Sequence, residues 1–319
     1  MPGGTPAGCR AERNFGRLLE CVALQPDRSN FFAGPYLERR ADAREDPEWV
    51  AAAWGDSATL YLLARGTTHL LHGDPPRAAF LTRADPLVRS APATSLTLLG
   101  WFRGTRTVLI TQPPERIGPP AGMRFEELRP LTALLPADEA GLLAYARALA
   151  VWRARTRYCS VCGAPTAPIR AGHCLTCTNP DCAEEFFPRI DPAIIVLVSD
   201  GERALLGRQA GWPARRYSTI AGFVEPGESL EDAVTREVEE ETGVRIASAS
   251  YDSSQPWPFP SSLMLGFRAR APAGAVVRVS GELEDARWFT RAQLTSGEAL
   301  APPSHSISWH LISGWLEGG

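Results

Sequence analysis

One stretch of 23 residues, which reads GFVEPGESLEDAVTREVEEETGV, constrains the fold of this chain more than any other. Pro226 and Gly227 predict a turn. Ser229, or the glutamate before it, can cap a helix that follows this turn, and Gly243 stands where helices commonly end. The stretch therefore predicts a strand end, a turn, an amphipathic helix and a glycine stop.

Carboxylates concentrate along one edge of this predicted helix. Glu237 and Glu241 lie one helical turn apart, and Glu240 lies beside them. Like charges at this spacing repel each other, and a divalent cation such as Mg²⁺ or Mn²⁺ removes the repulsion while it also binds substrate phosphates. The three carboxylates therefore predict a catalytic metal site. A solvated acidic helix is the alternative interpretation when the run EVEEE is considered alone.

Length and composition set broad limits on the function. The chain has 319 residues, which is enough for more than one domain, and its 44% apolar and 22% charged content is typical of globular proteins. Its net charge of −3 predicts no general attraction to nucleic acid or to anionic membranes. No apolar run approaches the roughly 18 residues of a membrane span, and the first residues lack the apolar core of a signal peptide. We therefore expect a cytoplasmic protein with no membrane partner.

The cysteines predict a metal site of a second kind. Cys159 and Cys162 form one closely spaced pair, and Cys177 and Cys182 form another after a gap of fourteen residues. Two such pairs predict a tetrahedral, structural zinc site of the ribbon type, whose full shell leaves no position for a catalytic water. Cys174 leaves an alternative open, because Cys174 and Cys177 also form a C-x₂-C pair and Cys182 would then be the spare thiol.

The remaining sequence predicts a series of strands and two further helices. Strands are predicted over residues 59–64, 78–81, 95–102, 107–111, 193–199, 203–208, 216–223, 244–251, 263–271, 276–279 and 285–289. Apolar residues at helical spacing predict a connecting helix over residues 137–155 and a terminal helix over residues 306–316. Strands on both sides of the glutamate-bearing helix, with another helix at the end, predict an α/β/α sandwich around a mixed sheet.

Two motifs give the chain a family resemblance. The 23-residue stretch fits G-x₅-E-x₇-R-E-U-x-E-E-x-G-U, in which U is aliphatic, at every fixed position. It resembles the signature of the Nudix hydrolases, which cleave a nucleoside diphosphate linked to another moiety. The segment SQPWPFPSS at residues 254–262 resembles an array of the NADH pyrophosphatases, a Nudix branch whose members also remove NAD caps from RNA. The cysteine ribbon, the segment FFPR and the segment NFFAG at residues 30–34 extend this resemblance over nearly the whole chain.

The resemblance implies an architecture. We expect a Nudix α/β/α sandwich with a mixed sheet, preceded by a zinc ribbon and a small α/β N-terminal domain. The expected domains are an NADH-pyrophosphatase-like domain over residues 1–130, a connecting helix over 131–157, the zinc ribbon over 158–190 and the Nudix domain over 191–319. Because the ribbon of this branch has the same fourteen-residue gap, the expected ligands of one zinc ion per chain are Cys159, Cys162, Cys177 and Cys182.

The resemblance also implies the site residues. Glu237, Glu240 and Glu241 are expected to be catalytic and, with Glu282, to hold two or three Mg²⁺ or Mn²⁺ ions. The expected substrate contacts are Phe187, Ala221, Gln255, Pro256, Trp257, Pro258, Phe259, Pro260, Ser261, Ser262, Glu282 and Ser308. Phe187 stands where the family has an aromatic residue, usually Tyr, that stacks on a base, and Ser308 replaces a small residue that contacts the ligand. The array prolines predict a preorganised loop, and Arg236 is expected to pair with Glu228.

The implied reaction is metal-dependent hydrolysis of the pyrophosphate of NADH or NAD⁺ to nicotinamide mononucleotide and AMP, together with removal of NAD caps from RNA. Glu240 or Glu241 is expected to orient or deprotonate the attacking water. A homodimer is implied by resemblance, because family members commonly have the nucleotide site near the subunit contact. Two other hypotheses remain: a different Nudix specificity, such as ADP-ribose or dinucleoside polyphosphates, and a non-catalytic nucleotide- or RNA-binding module.

Overall fold

The computed structural model describes residues 30–318, and these contain three sheets in succession along the chain. The strands of the first sheet are β1 (Leu37–Glu38), β2 (Leu60–Arg65), β3 (Thr68–His72), β4 (Arg77–Ala78), β5 (Leu96–Phe102), β6 (Thr105–Ile110) and β7 (Met123–Glu127). Their order is β1-β5-β6-β2-β3-β4, and β7 pairs with β3. β2 and β6 are parallel, so this N-terminal sheet is mixed.

Four helices accompany the first sheet. They are α1 (Pro47–Gly55), α2 (Pro86–Arg89), α3 (Leu128–Leu131) and α4 (Ala137–Arg155). Short 3₁₀ segments occur at Ala41–Glu45, Ala93–Ser95, Thr132–Leu134 and Arg170–Gly172. The predicted connecting helix is confirmed with its predicted bounds, since α4 spans the same nineteen residues. Most of α4 is buried, which explains why its apolar residues recur on nearly all sides.

The second sheet belongs to the cysteine segment, and the third forms the core of the C-terminal part. The second contains β8 (Thr166–Ile169), β9 (Cys174–Cys177) and β10 (Glu185–Phe186). The third contains β11 (Asp191–Ser199), β12 (Arg203–Arg208), β13 (Ile220–Phe223), β14 (Ser248–Trp257), β15 (Ser262–Arg270) and β16 (Asp285–Thr290). The helices of this part are α5 (Leu230–Thr242), α6 (Arg291–Thr295) and α7 (Ile307–Leu316).

Strand β11 organises the third sheet. The order β14-β15-β11-β12-β16 places it in the middle, β13 also pairs with it, and its pairing with β15 is parallel. Ile194 and Val196 pack in one buried cluster with Val238 of α5, while Ile195 packs in another with Leu311 of α7. Because successive strand residues point to opposite faces, the continuous apolar run of β11 packs against α5 on one face of the sheet and against α7 on the other. This confirms the predicted α/β/α sandwich with a mixed sheet.

The structure corrects two predictions about local structure. Residues 276–279 do not form a strand, because the backbone of this segment bonds the end of α5 instead: Arg278 N donates to Thr242 O at 2.8 Å and Ser280 N to Glu241 O at 3.2 Å. The array is not simply a loop either, since its first part belongs to β14, where Gln255 pairs with Met264. Among residues 30–318, no helix combines the length and apolar character needed to cross a membrane.

A half-buried network of charged residues connects β14, β15 and α7. The carboxylate of Asp252 accepts hydrogen bonds from Arg268 Nε at 2.7 Å and Ser253 Oγ at 2.8 Å, and His310 Nε2 lies 3.2 Å away. Burial alone would raise the pKa of Asp252, but the hydrogen bonds from His310, Arg268 and Ser253 outweigh it and hold this pKa well below its usual range.

We expect Asp252→Asn to lower the free energy of unfolding at pH 7 by roughly 1–3 kcal/mol, because the carboxylate that pairs with Arg268 is lost. The folded-state pKa lies below the ordinary value of 3.8. The stabilisation by ionised Asp252 is therefore fully present above that pH and is lost as the pH falls further. Urea unfolding between pH 2.5 and 7 measures this, and an equally steep acid loss in parent and variant would contradict the assignment.

Candidate active site

The glutamate-bearing helix α5 begins and ends as its local sequence dictates. Ser229 is the N-cap: its hydroxyl accepts from Asp232 N at 3.1 Å, and the Asp232 carboxylate accepts in return from Ser229 N at 3.3 Å. Gly243 follows the last turn with a φ of 65°, a left-handed conformation that suits glycine. The choice between Ser229 and Glu228 as cap is thereby settled, and Glu228 has another partner.

Arg236 fixes the turn onto the helix. Its Nε lies 2.5 Å from Glu228 Oε1, and its Nη2 donates to Glu228 Oε2 and to Phe223 O, both at 2.9 Å. Its Nη1 donates to Glu237 at 2.9 Å and to Glu240 at 3.1 Å. The hydrogen bonds from Arg236 to Glu228, together with one from the Glu225 backbone amide, lower the pKa of Glu228 to about 2. The predicted pairing of Arg236 with Glu228 is confirmed.

Gly222 allows the helix carboxylates to approach the sheet. A Cβ atom at this position would lie 1.9 Å from the carboxyl carbon of Glu237. Any other residue would therefore displace that carboxylate. This contact explains in steric terms why a glycine begins the 23-residue pattern.

Glu241 is the electrostatic centre of the site. Burial is the main cause that raises its pKa, and the carboxylates of Glu237, Glu282 and Glu240 add to it, so that the pKa reaches about 7. Glu282 is brought there by the irregular segment between β15 and β16. Carboxylate oxygens are the ligands that a divalent cation prefers, which is the chemistry that the sequence predicts for these four residues.

A cavity of about 440 Å³ opens beside Glu241. Its walls are formed by Arg129, Ile195, Gly207, Gln209, Trp212, Arg216, Tyr217, Ser218, Thr219, Ile220, Ala221, Glu241, Gln255, Trp257, Met264, Leu283, Pro302, Pro303, His305, Ser306, Ile307 and Ser308. Five of the predicted site residues line it: Ala221, Glu241, Gln255, Trp257 and Ser308. The structure thus joins the strand before α5, the array and the start of α7 around one space.

Ser308 is held by a cluster of hydroxyl groups at the wall of this cavity. Its Oγ lies 2.8 Å from Ser218 Oγ, receives a hydrogen bond from Thr219 N at 3.1 Å and lies 2.9 Å from Thr219 Oγ1. The side chain is only 2% exposed. These partners explain why a serine fits where the family has a smaller residue, since its buried hydroxyl is satisfied.

Gln255 has a different surrounding from a free substrate contact. It is completely buried, and its Nε2 donates to Phe31 O at 3.0 Å and to His305 O at 2.8 Å. Its Oε1 accepts from Ile307 N at 2.8 Å. Both amide hydrogens are therefore used inside the protein, and Gln255 shapes the cavity wall by joining three segments of the chain.

The rest of the array divides between two directions. Trp257 faces His305 across nearly parallel rings, 6.5 Å between centroids, while Phe259 packs against the N-terminal core. Ser261 Oγ bonds Asp191 at 2.6 Å and borders a second cavity of about 500 Å³. Pro256 and Pro260 are exposed, Pro258 is buried and Ser262 is half-buried. The predicted array residues therefore do not all face the cavity at Glu241.

Phe187 also lies away from the main cavity. Its ring is 57% exposed and borders the second cavity together with Trp152, Arg155 and Ser261. Within one chain, the structure does not bring Phe187 to Glu241. Glu237, Glu240 and Glu282 do not border the main cavity either, although all three act electrostatically on Glu241.

Sequence reasoning did not identify several cavity residues. Trp212, Arg216 and Tyr217 precede the 23-residue pattern and carry no motif of their own, and Arg129 comes from α3 in the N-terminal part. His305 lies three residues before Ser308, which the resemblance implied as a substrate contact.

The cysteine segment brings together the predicted set of four thiols. The sulfur atoms of Cys159, Cys162, Cys177 and Cys182 all lie within 4.8 Å of one another, with 3.7 Å from Cys159 to Cys182 and 3.4 Å from Cys162 to Cys177. A tetrahedral zinc with Zn–S bonds of about 2.3 Å requires sulfur separations of about 3.8 Å, so the set fits the ion. Cys174 is buried outside it. Among residues 30–318, these cysteines are the one group of three or more His, Cys, Asp or Glu side chains whose ligand atoms lie close enough together to hold a metal ion.

Comparisons with known proteins agree with this arrangement. Three family models match successive parts of the chain: the NADH pyrophosphatase-like rudimentary NUDIX domain over residues 58–152, the NADH pyrophosphatase zinc ribbon domain over 154–187 and the NUDIX domain over 189–310.

Similar proteins include the NAD-capped RNA hydrolase NudC of Mycobacterium bovis, which is 38% identical over 88% of this chain and 94% of its own length. The NAD-capped RNA hydrolase NUDT12 of Homo sapiens is 32% identical over 90% of this chain and 73% of its own length. The chain therefore belongs to the Nudix hydrolase family, within the branch that carries the NADH pyrophosphatase zinc ribbon.

Proposed function

We propose that this protein hydrolyses the pyrophosphate bond of NADH or NAD⁺, which yields nicotinamide mononucleotide and AMP, and that it removes NAD caps from RNA 5′ ends. The observation that carries the proposal is the position of Glu241, which lines the same cavity as Gln255 and Trp257 of the SQPWPFP array. The NAD-capped RNA hydrolases that resemble the chain over most of its length support the same activity.

The chemistry follows from the surroundings of the carboxylates. Glu237, Glu240, Glu241 and Glu282 would hold two or three Mg²⁺ or Mn²⁺ ions. Ions bound there would neutralise the phosphates and make an attacking water more acidic. Glu240 is bound to Arg236, whereas Glu241 lines the cavity. Glu241 is therefore the side chain best placed to take a proton from that water.

A side-by-side assay of NADH, NAD⁺, NAD-capped RNA and ADP-ribose with Mg²⁺ or Mn²⁺ tests the function. We expect release of AMP from NADH and of nicotinamide mononucleotide from capped RNA. Glu241→Gln should reduce these rates by at least about 100-fold. Glu239→Gln is the matched control, because Glu239 lies on the same helix but pairs outward with Arg245 at 2.8 Å, and we expect it to stay within about twofold of the parent.

Other outcomes would select other functions. Preferential cleavage of ADP-ribose would favour a different Nudix specificity, and binding without turnover would favour a nucleotide-binding module. Parent-like activity of folded Glu241→Gln would overturn the assignment of the carboxylates.

We propose that the four clustered cysteines hold one structural zinc per chain. Cys182→Ser should lower the zinc content well below one per chain and destabilise the ribbon, because metal binding supplies much of the folding free energy of such small units. Cys174→Ser is the control, since this thiol lies outside the cluster, and it should retain one zinc. Mass spectrometry of metal content measures both, and the reverse pattern would exchange the two ligands.

We also propose a homodimer. Phe187, Ile190 and Phe223 are 57%, 65% and 59% exposed, an apolar surface that a second copy could cover. In a dimer, the exposed Phe187 would contact the second copy, whereas it does not line the main cavity of its own chain. Light scattering should then give a mass near twice the 34.6 kDa of one chain, and a monomeric mass at assay concentrations would contradict the proposal.

A further inference from the structure

We propose that the N-terminal part of this chain positions the wall of the substrate cavity, and that Arg147 of α4 is the main positioning residue. The inference rests on the proposed function, in which the array encloses the substrate. It concerns the opposite side of the array, away from the carboxylates.

The aromatic residues of the array are shared between the two domains. Trp257 and Phe259 pack against the hydrophobic core that also contains Leu62 of β2 and Leu143 of α4. Their ring centroids lie 5.2 Å apart, and each lies 6.1 Å from the ring of Phe32. The turn between β14 and β15 is therefore inserted into the N-terminal core, although its sequence belongs to the Nudix domain.

Arg147 binds the array directly from α4. Its Nη1 donates a hydrogen bond of 2.9 Å to Pro258 O, and its guanidinium carbon lies 4.9 Å from the centroid of the Phe259 ring. The side chain is 7% exposed, and its Nη2 lies 3.9 Å from Glu127, at the limit of an ion pair. A buried guanidinium thus uses its one short hydrogen bond on the backbone of the array.

Few polar contacts offset the free-energy cost of burying the Arg147 guanidinium. Its Nε has no hydrogen-bond partner among the described residues, and neither ring nitrogen of the buried His69 nearby has one. Buried charges with incomplete partners destabilise a fold relative to apolar residues of similar size. The contact with Pro258 and Phe259 is therefore better explained by the geometry it imposes on the array than by stability.

The segment NFFAG holds the array from its other end. Asn30 Nδ2 donates to Ser253 Oγ and to Ser254 O, both at 2.9 Å, and Phe31 O accepts from Gln255 Nε2 at 3.0 Å. Asn30 is 6% exposed. This motif, which no predicted catalytic role had explained, thus fixes the strand that leads into the array.

These contacts reach the substrate cavity through Trp257. Phe32 and Phe259 pack against Trp257, which together with His305 lines the cavity. A cavity that is correctly shaped only part of the time binds with an affinity reduced by that fraction. Release of the array from Arg147 should therefore raise KM, whereas kcat should change little because the carboxylates on α5 are held by Arg236.

The test compares three substitutions on α4. Arg147→Met keeps the aliphatic volume and removes the donor, so we expect KM for NADH to rise about tenfold with kcat within about twofold of the parent. Arg147→Lys retains a donor and should restore most of the affinity. Arg153→Met is the matched control, because Arg153 bonds Leu96 O at 3.0 Å, the Thr97 hydroxyl and Thr94 O, all in the N-terminal part. It should lower the unfolding temperature and leave KM unchanged.

A second readout does not depend on activity. Hydrogen exchange at the backbone amides of Gln255, Trp257 and Phe259 should accelerate in Arg147→Met and in Asn30→Asp, but not in Arg153→Met. If the parent fails to hydrolyse NADH, the proposed function fails while this readout still decides the positioning role. Equal increases of KM in Arg147→Met and Arg153→Met, or unchanged exchange in Arg147→Met, would overturn the inference.

Discussion

Electrostatic repulsion among four carboxylates is the constraint on which the rest of this site depends. Burial and the carboxylates of Glu237, Glu282 and Glu240 all disfavour the charged form of Glu241 and raise its pKa. Arg236 offsets part of the negative charge, and the glycine at position 222 gives Glu237 room against the sheet. The negative charge that remains after this compensation suits the site to divalent cations.

The negative charge lies next to a cavity because the two faces of one strand, β11, pack against different helices. Alternate residues of β11 face α5 and α7, so both helices are anchored to the same central strand. Three of the carboxylates, those of Glu237, Glu240 and Glu241, come from one helical layer and Ser308 comes from the other, while Ala221 lies on β13 between them. Because the sheet is packed on both faces, the relative position of these groups is fixed by core packing rather than by loops.

The sequence predicted the parts of this structure that depend on local patterns. The cap at Ser229, the stop at Gly243 and the bounds of α4 are determined by neighbouring residues. The spacing of the cysteines left Cys174 open as a ligand, and it was the family resemblance that implied the four thiols that cluster in the structure. Contacts between distant segments could not be read in this way. Residues 276–279 have the composition of a strand, yet the Arg278 amide bonds the Thr242 carbonyl at the end of α5. The distance between Phe187 and the main cavity is likewise a property of the folded chain alone.

Because the array packs against the N-terminal core, the Nudix domain and the N-terminal part are not structurally independent. Residues 189–310 carry the Nudix signature, yet two aromatic side chains within them complete the core of another domain. Separation of the domains would expose Trp257, at the wall of the main cavity, and Phe259 to water. The N-terminal part is consequently half of a composite module, and an excised Nudix domain would keep its acidic residues while losing part of its binding surface.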